Sequence, residues 1–172
     1  MVLGMTLSTY TFLHVLISLA GIGSGLVVLA GFLTDRRLDR WTAVFLTTTV
    51  ATSLTGFGFP VDHVMPSHIV GSISLVVLAF AIAARYRFQM SGASRWIYVV
   101  GAVTALYLNV FVLVTQAFLK ILALNALAPT QSEPPFAIVQ LIVLAAFIGL
   151  GVAAVKKFQQ QKPVRSSRAA TA

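Results

Sequence analysis

The stretch TSLTGFGFPVDHVMPSH, from Thr52 to His68, decides the fold. An apolar segment rich in threonine precedes it and one rich in valine and leucine follows. Between them Gly56, Gly58, Pro60 and Pro66 interrupt any continuous helix. The stretch therefore reads as the turn between two helices. It holds two of the three histidines, His63 and His68, and one of the four acids, Asp62.

Outward from this turn the same alternation repeats, a long apolar run followed by a short polar break. With 58% hydrophobic and 9% charged residues and a mean hydropathy of +0.93, the chain has too little polar surface to cover a water-soluble core. We expect an all-α integral membrane bundle of five transmembrane helices, each of about 20 residues or slightly more. The spans run from Tyr10 to Leu33, from Trp41 to Phe59, from just after Pro66 to Ala84, from Trp96 to about Leu127, and from Phe136 to Val155. The fourth is long for one crossing, and the expectation is a helix that projects past Lys120 rather than one that breaks there. Residues 1–157 form this domain, and 158–172 read as a basic, disordered cytoplasmic tail.

The net charge of +8 is no sign of nucleic acid, because the charges sit in the breaks between apolar runs. Eleven of the twelve Lys and Arg residues fall in the first and third breaks and the tail, leaving Lys120 alone on the other side. The positive-inside rule then puts the N-terminus outside and the C-terminus inside, which requires an odd number of spans. The first Lys or Arg is Arg36, so the opening segment reads as a retained span rather than a cleaved signal peptide. The absence of cysteine excludes disulfides, thiolate catalysis and cysteine metal sites. No Walker loop, dinucleotide fingerprint, H-E-x-x-H or G-x-S-x-G occurs, and no catalytic residue is assigned.

This topology puts most of the polar chemistry on the outer side. Tyr10, His14, Ser18, Gly21 and Gly25 share one face of the first span; Gly21 and Gly25 are expected to let a neighbouring helix approach closely. His14 and His68 each lie about one turn inside their spans, at matching depth. Asn109, Gln116 and Lys120 form a stripe along the fourth span. The candidate ligand or proton-binding set is His14, Asp62, His63, His68, Gln116, Lys120 and Glu133. His14 and His68 could hold a metal or haem b if the first and third spans are neighbours, or the cluster could contact a quinone head. The plain alternatives are interfacial histidines bonded to hydroxyls and a Lys120 that snorkels to water.

Thr55-Gly56-Phe57-Gly58 resembles the T-x-G-[YF]-G carbonyl filter of potassium channels. The residue between Thr and the first Gly is missing, and glycines that simply end a helix account for the pattern. Across residues 10–150, the segments SLTGFGFP, PSHIVGSISLVVLA, RWIYVV, ALYLNVFVLV and APTQSEPPF resemble small bacterial inner-membrane proteins to which no activity is attached. That resemblance implies the bacterial cytoplasmic membrane. The expected function is binding or relaying a small polar ligand, ion or proton at the outer cluster. The alternatives are a redox protein holding haem b or a quinone, or an accessory subunit of a larger membrane complex. The lipid bilayer is the expected partner, and a homo-oligomer is also open to it.

Overall fold

The computed structural model describes residues 4–59 and 66–158. Within them the chain is helical, in the order α1 (Leu7–Leu33), α2 (Asp39–Gly56), α3 (Pro66–Ile82), α4 (Ser94–Lys120), α5 (Leu122–Leu127) and α6 (Pro134–Phe158). α3 runs on into a single π turn, Ala83–Arg87. Four stretches are long and apolar enough to cross a membrane: Leu7–Leu33, His68–Arg87, Ser94–Lys120 and Pro134–Phe158. α2 is not one of them, since it begins with Asp39 and Arg40 and carries seven hydroxyl residues in 18.

Side-chain contacts establish that each long helix runs antiparallel to the one before. Down α1 and α2, His14 meets Thr55, Gly25 faces Phe45 and Gly31 faces Leu38. Between α2 and α3, Phe57 stacks on His68, Ser53 donates to Ser74 at 3.1 Å and Asp39 pairs with Arg85. α3 and α4 cross where Ala81 touches Gly101. α4 and α6 meet at Phe118 with Phe136 and Tyr107 with Phe147. The bundle thus has two poles. One gathers the end of α2 with His14 and His68, the other the α1–α2 and α3–α4 turns and the end of α6.

Close packing comes from small residues, as it must where lipid and protein interiors are equally apolar. A Cβ on Gly25 would sit 2.6 Å from Leu106 Cδ1 and 2.8 Å from the Phe45 ring. Gly21 has the same role with more room, facing Thr48, Thr49 and Asn109. The seam that Gly25 shares with Val28, Phe32, Phe45, Val103 and Leu106 holds no space for a water molecule. Leucine, isoleucine and phenylalanine side chains such as Leu19, Leu26, Phe80 and Leu141 cover the outside, a surface suited to lipid.

Three expectations are corrected. α4 does not project past Lys120: Ile121 turns extended, with φ −90° and ψ 114°, and α5 is a separate turn of helix. Asn125 Nδ2 donates to the Phe118 carbonyl at 3.3 Å, capping a group that further helix would have satisfied. Phe158 belongs to α6 rather than to the tail, because it is buried against Phe32. Arg85 is not in a surface loop; it is described below.

Candidate functional site

The end of α2 is where the histidines assemble. Thr55, one residue from the helix terminus, uses its hydroxyl hydrogen, from Oγ1, on the Ala51 carbonyl at 2.7 Å, the usual way a threonine satisfies itself in an apolar helix. His14 Nδ1 lies 2.8 Å from the same oxygen. The Tyr10 hydroxyl donates to the Thr55 carbonyl at 2.7 Å, which also accepts from the Gly58 amide at 3.1 Å. Phe59 closes over both rings edge-on, its centroid 5.1 Å from that of Tyr10 and 5.2 Å from that of His14. Gly58 is required here, since any Cβ would collide with the Tyr10 hydroxyl.

On the other flank of α2, His68 stacks on Phe57 with centroids 5.5 Å apart and planes 15° from parallel. The two histidines repeat one local pattern: Ser18 donates to the His14 carbonyl at 2.7 Å and Ser72 to the His68 carbonyl at 2.9 Å. Yet positions 55 and 57 lie about 200° apart around a helix of 3.6 residues per turn, so the rings bracket the end of α2 instead of facing each other. A haem or metal held between them has no built site in this geometry. No group of three His, Cys, Asp or Glu that could hold a metal occurs among the described residues. The filter-like Thr55–Gly58 is a helix terminus whose Thr55 carbonyl is occupied by Tyr10.

The remaining candidates do not join this cluster. Gln116 and Lys120 are exposed on α4, whose end packs against α6. Glu133 accepts from the amide and hydroxyl of Thr130 at 3.2 and 2.9 Å and makes no ion pair with Lys120. Desolvation pushes the Glu133 carboxyl up, but backbone amides and the Thr130 hydroxyl outweigh it and hold the group below the usual carboxylate range. Asp62 and His63 lie outside the described residues.

Sequence reading missed two polar centres. At the opposite pole, Arg85 is buried, with its guanidinium 5.1 Å from the Tyr98 ring centroid and 5.4 Å from that of Tyr86. Its Nη2 pairs with Asp39, and Tyr98 in turn donates to Thr42 at 3.2 Å and packs edge-on against Phe32. Arg85 lies within the π turn and is buried, while Arg87 two residues on is exposed. Tyrosines at 86 and 98 beside Arg85 were the available hint. Between α4 and α6, Gln140 donates to the Phe111 carbonyl at 3.1 Å and lies 3.3 Å from Thr115 Oγ1.

Compared with protein-family models, curated proteins and solved structures, the chain finds no match, and its geometry alone must carry the functional reading.

Proposed function

We propose that this chain is a five-span protein of a bacterial cytoplasmic membrane, N-terminus outside and C-terminus inside, that holds a small polar ligand at its outer face through His14. α2 counts as the fifth span because it lies beside α1 from Gly31 to Tyr10, and its 18 residues extend about 27 Å at about 1.5 Å each, close to the apolar thickness of a bilayer, about 30 Å. Four of its polar side chains are made compatible with lipid by their bonds: Thr48 and Thr55 to their own helix, Ser53 to Ser74, Thr49 to Asn109. The orientation rests on Arg36, Arg37, Arg40, Arg87, Lys156 and Lys157, which gather at the pole opposite the histidines.

The observation that carries the ligand reading is the fixed geometry of His14 within an apolar helix, held by Thr55 and Phe59. An intramembrane ionisable side chain is costly and is retained for a purpose. Holding a ligand is favoured over conducting one because the seam below, at Gly25, Phe45 and Leu106, admits no water. Docking onto a larger complex is the second reading. It draws on α6, whose Ile138, Leu141, Ile142 and Ile148 are uncovered by the rest of the chain.

Two experiments test this. Because the chain has no cysteine, single replacements such as Arg37→Cys, Gly92→Cys and Gln131→Cys can be labelled with a membrane-impermeant maleimide. Only the last should react from outside; labelling of Arg37→Cys from outside sinks the orientation. Native mass spectrometry of the intact protein should detect a bound small molecule that His14→Gln loses. A ligand-free wild type that carries a protein subunit instead decides for the second reading.

A further inference from the structure

We infer that His14 is held as the imidazole tautomer protonated on Nδ1, so that its Nε2 lone pair is the ligand-binding atom and the ligand is one that donates a hydrogen bond to it. The inference deepens the ligand-holding reading above and rests on it for its second half.

A threonine hydroxyl has one hydrogen to give. Thr55 Oγ1 lies 2.7 Å from the Ala51 carbonyl and 3.2 Å from that of Thr52, and a carbonyl only accepts, so the hydrogen points there. The 2.8 Å contact with His14 Nδ1 then needs its hydrogen from the ring. In neutral imidazole the other nitrogen is an acceptor, and Nε2 makes no hydrogen bond among the described residues. Phe59 stands edge-on at 89° to the ring, its centroid 5.2 Å away, and packs against it on one side. The helix hydroxyl thus takes the part that a carboxylate or carbonyl takes behind a metal-bound histidine, fixing the tautomer from behind.

What such an atom binds follows from chemistry. A carbonyl or an anion brings only lone pairs and is repelled; a hydroxyl is held. A metal ion would need further ligands, and the described residues offer no cluster to supply them. The aromatic edges of Tyr10 and Phe59 beside the ring fit a flat apolar body carrying that hydroxyl, such as a phenol or a hydroquinone, partitioned into the bilayer.

The test uses histidine-labelled protein in lipid nanodiscs, with the resonances of His14 identified by their loss in His14→Gln. Nitrogen shifts should report a proton on Nδ1 in wild type and in Thr55→Ser, and a mixture of tautomers in Thr55→Val. A proton on Nε2 in wild type, or no response to Thr55→Val, overturns the inference. A short-chain hydroquinone should then move the Nε2 resonance while its oxidised quinone leaves it in place. Equal shifts with both overturn the donor selectivity. If neither moves a correctly assigned Nδ1–H ring, the tautomer stands and the ligand-holding reading falls for this class.

Discussion

The two poles of the bundle solve the problem of polar groups in an apolar helix assembly by opposite means. At the histidine pole no charge is needed: Tyr10 donates to the Thr55 carbonyl and His14 Nδ1 bonds to the Thr55 hydroxyl, which itself donates to Ala51. At the arginine pole a permanent charge is kept, Arg85, its side chain only 7% exposed, between two tyrosine rings and a carboxylate that is itself 71% exposed. A neutral cluster costs little to keep and leaves an atom to spare for a ligand. A buried charge is costly unless it is paired, and the pairing of Arg85 with Asp39 and the two rings makes it a structural clamp on α2, α3 and α4.

The contrast breaks first at Asp39. Asp39→Asn leaves the Arg85 charge without its counter-charge and should lower unfolding stability in detergent by about 3 kcal/mol, the low end for such pairs because the carboxylate is exposed. Adding Arg85→Met should recover part of that loss; a double variant no better than the single would mean the charge is not what Asp39 answers. Next comes the seam dividing the poles. Gly25→Ala should cost about 1–3 kcal/mol through overlap with Leu106 and the rigid Phe45 ring. Gly23→Ala and Gly149→Ala, which meet nothing within 4 Å, should be neutral or slightly stabilising. Equal effects at all three glycines would remove the packing argument.

Tyr10→Phe sharpens the histidine pole. It removes one hydrogen bond and should cost about 1 kcal/mol, with faster amide exchange confined to the end of α2. Global loosening on that substitution would contradict a local cap. The smallest effect is expected in the turn before α6. Because hydrogen bonds depress the Glu133 pKa in the folded state, their contribution is fully present above the unfolded value, near 4.5, and is lost as pH falls through the folded value. The Thr130 amide should exchange faster below that window, and Glu133→Gln should abolish the pH dependence. An unchanged pH profile in the variant rules this carboxyl out as the cause.

The segmentation into helices and breaks was legible because lipid-facing helices must be apolar along their whole length, so their ends are marked by charge, Gly and Pro. Span limits near Leu33, Pro66 and Phe136 agree with the helices to within a few residues. The surroundings of α2 were less legible, since its hydroxyls lower its hydropathy and the partners of Thr48, Thr49, Ser53 and Thr55 are seen only in the fold. The arginine clamp was hidden for the same kind of reason: Arg85 near Arg87 looks like any interfacial pair, and only the fold shows that the first is buried against Tyr98 while the second stays exposed.

Composition and spacing by themselves determined that the chain is helical with several stretches long and apolar enough to cross a membrane, that Gly25 lies at a close crossing, and that His14 and His68 share a level. Tertiary structure alone decided that the end of α2 stands between those two rings, that Gln116 and Lys120 turn away from them, and that Thr55 holds His14. Periodicity along one helix records which residues share a face. It carries no information about which helix that face meets, and hydrogen-bond partners are set by that meeting.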